Sequence, residues 1–259
     1  MKFDKSALES IRNELIDWIK WALKESGGDS LIIGISGGKD SSVAAALCVE
    51  AIGKENVYGI LLPNGKQKDI SYAYELCQVL GINHVNVPID KISGEFFNSL
   101  NDLNTDNFID SISEKTQLNL LPRIRMSMLF AISQSIRNSR VINTGNLSER
   151  WIGYTTLYGD NTGAFAPLAK FTSDEVIEIG RYLGLDDKFV DKTPEDGLTG
   201  NTDEEVIGFS YSTLNKYIRQ GIIEDQDIKK KIDRMHRDSK FKFETMPLYD
   251  NSLPIKADN

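Results

Sequence analysis

Leu31-Ile-Ile-Gly-Ile-Ser-Gly-Gly-Lys-Asp-Ser-Ser42 passes within a few residues from an apolar run into two glycines, a lysine, an aspartate and two serines. Leu31 to Ile35 reads as a short buried strand, and Ser42 to Ala51 as a helix ended by Gly53. A strand that turns through serine and glycine into a helix aims backbone N–H groups and the positive helix end at one point, which suits a phosphate. Asp40 beside such a nest is electrostatically wrong unless a cation lies between them, and a magnesium–nucleotide complex supplies one. The stretch is neither a Walker P-loop, since Lys39 is followed by Asp40, nor a dinucleotide Gly-x-Gly-x-x-Gly turn.

Outward from that turn, strand-like and helix-like segments alternate. Ser6 to Glu25 carries Leu8, Ile11, Leu15, Trp18, Ile19 and Ala22 at helical spacing and stops at Gly27-Gly28. Val57 to Leu62 is a second strand, Asp69 to Leu80 a helix, His84 to Ile89 a third strand, Gln117 to Ile136 a long helix and Arg140 to Asn143 a fourth strand. Such alternation predicts an α/β fold: a parallel sheet with helices on both faces. Ligands of such sheets lie beyond the carboxyl ends of the strands, which places Ser36 to Ser42, Pro63 to Asp69 and Thr144 to Glu149 on one rim. Past Trp151 comes a glycine-rich loop, Gly153 to Gly163, and then a helical remainder whose pieces open with Thr172-x-x-Glu175 and Thr202-x-x-Glu205 capping boxes.

The 259 residues, 40% hydrophobic and 26% charged, suffice for one substantial core, and a single domain over 1–259 is the expectation. A formal net charge of −8 gives no general attraction to nucleic acid or an anionic membrane, so a polyanion must meet a local positive site. With no apolar run of membrane-spanning length and no signal-type opening, the cytoplasm is expected. Cys48 and Cys77 offer neither a disulfide framework nor zinc spacing and read as packing residues. His84 reads as a packed or edge residue and His236 as a solvated one.

Ser36-Gly-Gly-Lys-Asp-Ser41 resembles the pyrophosphate-binding loop of the N-type ATP pyrophosphatases, which split ATP between the α- and β-phosphates to activate a carboxylate or carbonyl as an adenylate. Three further segments narrow the resemblance: Leu62-Pro-Asn-Gly-Lys-Gln-Lys-Asp69, Asn143 through Asp160, and Lys192-Thr-Pro-Glu-Asp-Gly-Leu198 with Thr202-Asp-Glu-Glu205. In order and spacing they are similar to the ammonia-dependent NAD synthetases, over nearly the whole chain. The resemblance implies an adenine nucleotide alpha hydrolase-like, Rossmann-like fold with a helical C-terminal part. It implies a ligase that amidates deamido-NAD with ammonia at the expense of ATP and magnesium, working as a homodimer.

The residue roles that follow are those of the resemblance. Gly34, Ile35, Ser36, Gly37, Gly38, Lys39, Asp40 and Ser41 would hold the departing phosphates, with Gln67 and Thr144 also contacting ATP. Asp40 and Glu149 would ligate magnesium, Arg123 and Lys242 would contact deamido-NAD, and Asp160 would receive the ammonium ion. Ammonia is mostly protonated at neutral pH, so a carboxylate that binds ammonium and takes its proton is chemically apt.

Several positions depart from the family's common pattern. Leu157 and Ser173 stand where lysines are usual, Ala164 where an acid is usual, Glu195 where Ser or Thr is usual and Phe241 where His is usual. Leu61-Leu62 replaces a nucleotide-contacting arginine. These departures keep two other readings open: an amide ligase of the same superfamily acting on a related carboxylate, and a nucleotide-binding paralogue without catalysis.

Overall fold

The computed structural model describes residues 3–67, 70–105, 108–191 and 202–250. Helix α1 (Lys5–Glu25) starts at Asp4, whose side chain accepts from the Ala7 amide, and its end is closed by the Gly28 amide donating to Leu23 O. Then come β1 (Ser30–Gly34), α2 (Lys39–Ile52), β2 (Val57–Leu61), α3 (Ile70–Leu80), β3 (Asn83–Asn86), α4 (Asp90–Thr105), α5 (Glu114–Ser135) and β4 (Ser139–Val141). The C-terminal part is helical, as expected: α6 (Leu147–Ile152), α7 (Ser173–Tyr182), α8 (Asp187–Val190), α9 (Asp203–Ile207), α10 (Tyr211–Gln220), α11 (Gln226–Ser239) and a 3₁₀ turn at Lys240–Phe243.

The strands are parallel, in the order β3-β2-β1-β4, with Leu31 opposite both Val57 and Arg140. Successive side chains of a strand point to opposite faces, and here each face has its own core. Leu31 and Ile33, with Val57 and Leu61, pack against Ile19 of α1, Leu47 of α2 and Val176 of α7. Ile32, Ile60 and Val141 point the other way, onto Leu121, Ile124 and Leu129 of α5. Helices therefore cover both faces, as the alternation predicts. A third cluster, Ile152, Ile207, Leu214 and Ile232 among its members, ties α6 to α9, α10 and α11. This cluster carries the C-terminal helices to the rim of the sheet.

Boundaries shift for identifiable reasons. Helix α2 starts at Lys39 rather than Ser42 because Gly38 serves as its N-cap, which puts Asp40 in the first turn. Helix α5 starts at Glu114, before the expected Gln117, because the Ser113 side chain accepts from the Thr116 amide. Strand β3 ends at Asn86 rather than Ile89, and all four of its residues are exposed, as suits a sheet edge. His84 stands on that edge with its ring 6.0 Å from that of Tyr74. Cys48 and Cys77 are buried packing residues, and burial raises both thiol pKa values, that of Cys77 to about 11. Among the described residues no helix is long and apolar enough to cross a membrane.

Candidate active site

Because the strands are parallel, the loops after β1, β2 and β4 leave the same edge of the sheet. The first is short. The Ile35 amide still donates to Ile60 O at 2.9 Å, after which Gly37 takes a φ of +78°, and a side chain there would press the Ala73 amide and Tyr72. The two serines shape the turn: Ser36 Oγ lies 3.1 Å from Ser41 Oγ and accepts from the Gly38 amide at 3.2 Å, while Ser42 Oγ donates to Gly38 O at 2.8 Å. Gly38 has no side-chain oxygen to offer the first-turn amides of α2, so the positive end of the helix is left for an anion.

The Lys39 side chain turns inward and is only 5% exposed. Its ammonium donates to Asp40 Oδ2 at 2.9 Å and lies 5.8 Å from the Tyr211 ring centroid. Burial opposes the charge, but the Asp40 and Glu149 carboxylates outweigh it and hold the pKa above the usual lysine value. The other Asp40 oxygen, Oδ1, accepts from Asn146 Nδ2 at 2.9 Å. Asn146 is fully buried and is the N-cap of α6: its Oδ1 accepts from the Glu149 amide at 3.1 Å while Glu149 Oε2 faces the Asn146 amide at 3.4 Å, a capping box. One asparagine therefore sets the placement of both acids. Burial first and the Asp40 charge second push the Glu149 carboxyl up to about 8, with Asp160 and Asp203 adding to the effect. Two acids that resist joint ionisation fit a divalent cation between them and a phosphate. Among the described residues no three metal-binding side chains gather closely enough to hold a metal unaided. Phosphate oxygens and water would complete the shell, which is how magnesium is commonly held.

The glycine-rich loop carries Asp160. Its Oδ1 accepts from Thr155 Oγ1 at 3.0 Å and from the Thr156 amide, and Asn143 Nδ2 donates to its backbone carbonyl at 2.8 Å. Asp160 is open to solvent but walled by protein, and this enclosure holds its carboxyl above the ordinary range despite those bonds. Arg123 of α5 donates through Nε to Leu157 O at 3.2 Å, so it reaches this loop. Lys242 reaches it too, donating to Gly153 O and Thr155 O at 2.8 Å each. Thr144 and Gln67 are half-buried in the loops after β4 and β2. The phosphate turn, the two acids and the Asp160 loop thus gather at one rim.

The NAD synthase family model matches residues 11–247. The chain belongs to the NAD synthase family. It is similar to the NH(3)-dependent NAD(+) synthetase of Thermococcus sibiricus, 34% identical over 87% of this chain and 84% of that one. Among solved structures it is similar to an NMN synthetase from Francisella tularensis, with 29% identity, TM-score 0.84, and 96% of this chain and 100% of that one covered. It is also similar to the NH3-dependent NAD synthetase of Campylobacter jejuni, with 26% identity, TM-score 0.75 and the same coverage. These likenesses place the sheet in the Rossmann-like adenine nucleotide alpha hydrolase fold of the NAD synthases.

Seen within the family, the departures fall into distinct surroundings. Ser173 is 3% exposed and accepts at Oγ from Asn215 Nδ2 at 3.0 Å, while its amide donates to Ser148 Oγ at 2.9 Å. A buried hydroxyl network occupies the place of the usual lysine. Ala164 and Phe241 are exposed, Leu157 is half-buried, and Glu195 lies outside the described residues, as does the whole Lys192 to Leu198 segment. Leu61 and Leu62 are buried, but Arg125 of α5 donates through Nε to Leu62 O at 3.1 Å and so brings a guanidinium to that strand end. Sequence reasoning gave no role to Arg125, Asn143, Asn146 or Asp203. The signal for Asn146 was present, since Asn-Leu-Ser-Glu149 has the spacing of a capping box. Asp203 is 7% exposed and accepts from Tyr154 Oη at 3.2 Å and Tyr211 Oη at 3.4 Å, contacts no local pattern encodes.

Proposed function

We propose that the chain catalyses ATP-dependent amidation of deamido-NAD with ammonia to NAD, AMP and pyrophosphate. The observation that carries this reading is the setting of Asp40 and Glu149 by one buried asparagine, beside a helix N-terminus without a side-chain cap. A carboxylate is a poor acyl electrophile, and adenylation gives it a leaving group. The amides of the Ser36–Ser41 turn bind the departing β- and γ-phosphates, with Gln67 and Thr144 contacting ATP. Asp40 and Glu149 hold magnesium, which when bound offsets phosphate charge. Arg123 contacts the dinucleotide. Asp160 binds ammonium and accepts its proton, a task helped by a carboxyl pKa above the ordinary range. The reading includes a single domain, a homodimer with α5 at its contact, and a cytoplasmic location, without nucleic-acid or membrane partners.

A second substrate is favoured by a specific observation: the Francisella tularensis relative, at a TM-score of 0.84, is an NMN synthetase. On that likeness the acid form of the mononucleotide is the alternative acyl substrate. Product analysis by mass, with ATP, magnesium and ammonium plus either acid, tests both. NAD formed from the dinucleotide supports the first reading; amide formed only from the mononucleotide replaces it; neither product overturns amidation by this site.

A further inference from the structure

The turn at Lys240–Phe243 reaches back across the molecule and fastens to the loop that carries Asp160. Lys242 Nζ donates to Gly153 O and Thr155 O at 2.8 Å each, and Asn161 Nδ2 returns a bond to Lys242 O at 2.9 Å. Asn161 Oδ1 meanwhile accepts from the Tyr158 amide at 3.0 Å, so the same side chain shapes the loop and grips the turn. Two further contacts press the pieces together. The Arg150 guanidinium stacks 4.3 Å from the Phe243 ring centroid, and Gly153, at φ +67°, packs so closely on Ser239 that a Cβ there would collide with it. The loop clamped in this way is the one whose Thr155 hydroxyl and Thr156 amide hold the Asp160 carboxylate.

We propose that Lys242 is a positioning residue: its ammonium, spent on two loop carbonyls, latches the C-terminal turn onto the Asp160 loop and thereby shapes the subsite for ammonium. The proposal rests on the amidation reading for what Asp160 does, and it gives Lys242 a role other than the dinucleotide contact implied by resemblance. The physical reason is geometric. Three N–H donors on an ammonium can bridge two carbonyls that a neutral side chain would leave facing each other unpaired. Loss of the bridge frees the segment from Gly153 to Thr155, and with it the threonine that orients the carboxylate.

The test compares Lys242→Met with the wild-type protein in ammonium titrations at saturating ATP and acid substrate, alongside amide hydrogen exchange of the peptide spanning 153–162. The latch predicts a rise in the ammonium KM of about tenfold or more, with the KM for the acid and for ATP unchanged. It also predicts faster exchange at the Thr156 and Tyr158 amides, partly restored by Lys242→Arg. Asn161→Ala, which removes the reverse bond, raises the ammonium KM and speeds exchange at the Thr156 amide in the same direction and serves if the methionine variant does not fold; the Tyr158 amide, which Asn161 itself accepts from, is left out of that comparison. An increased KM for the acid with an unchanged ammonium KM overturns the proposal in favour of direct substrate contact. Unchanged exchange in both variants overturns it as well. Acid-dependent exchange of labelled pyrophosphate into ATP without ammonia, measured on the wild-type protein, checks the underlying activity separately; its failure would sink the amidation reading and leave the exchange data to judge the latch.

Discussion

Asn146 Nδ2 donates to Asp40 Oδ1 at 2.9 Å, joining the first turn of α2 to the cap of α6 at the rim of the sheet. The bond spans 106 residues of sequence and makes the placement of one acid depend on the helix that carries the other. Asn146→Ala removes the cap and this bond together. Loss of an N-cap costs about 1 kcal/mol, and a buried carboxylate-facing donor adds roughly as much again. Chemical denaturation reads this as a lowered midpoint, and magnesium-dependent ATP binding weakens in the variant that remains folded.

Asp40→Asn keeps the shape of the side chain and removes the charge. Turnover falls by roughly a hundredfold or more, the scale of losing one electrostatic contact to the reacting phosphates. The unfolding midpoint falls as well, because the nearly buried Lys39 ammonium loses its charged partner. Steady-state kinetics and thermal melts on the same preparation check both halves.

As the magnesium ligand proposed above, Glu149 would link pH to metal binding. Its carboxyl, pushed up to about 8 by burial and by Asp40, holds a proton more readily than an ordinary glutamate in the metal-free protein. The folded chain holds that proton more tightly than the unfolded one, so its stabilising contribution is present in acid and fades as pH rises from the usual carboxylate range through about 8. Magnesium competes with the proton, so its affinity rises with pH through the same range and binding releases a proton. Calorimetry in two buffers of different ionisation enthalpy measures that proton, and Glu149→Gln abolishes it.

Gly37 sits at φ +78° with the Ala73 amide 3.0 Å from where a Cβ would lie. Gly37→Ala forces a left-handed alanine against backbone. Its expected cost is about 1–2 kcal/mol in stability with a raised KM for ATP, because the turn can no longer hold its amides in register. A denaturation curve and an ATP titration report these separately.

Asn215 satisfies two buried hydroxyls, accepting from Ser148 Oγ and donating to Ser173 Oγ. Asn215→Ala takes one bond from each hydroxyl, leaving Ser148 Oγ only the Ser173 amide as a partner, and stability drops by about 1–3 kcal/mol, as read from denaturant midpoints. ATP affinity per folded molecule is retained, because Asn215 is held behind the rim by α10.

The rim was legible in the sequence wherever a local pattern carried it. The apolar run into Ser36-Gly-Gly, and the Thr172 and Thr202 capping boxes, are each specified within a few residues, and each is present in the structure. Helix α4 carries Ile92, Phe96, Leu100 and Leu103 at helical spacing, a stripe the sequence reading passed over, and Ile92, Phe96 and Leu103 stay exposed in the structure. Pairings such as Asn146 with Asp40, or Lys242 with Gly153, depend on the packing of α6 and α11 and have no local signature. Ser173 was visible as a departure, but its part in a buried hydroxyl network needed α10 in place.

In the proposed reaction Asp40 and Glu149 serve adenylation of a nicotinate-type acid at the Ser36–Ser41 turn. Exchange of labelled pyrophosphate into ATP, measured without ammonia, tests it most directly. The exchange expected requires both magnesium and the acid, and vanishes in Asp40→Asn. Exchange that persists in that variant, or that proceeds at the same rate without the acid, would contradict it.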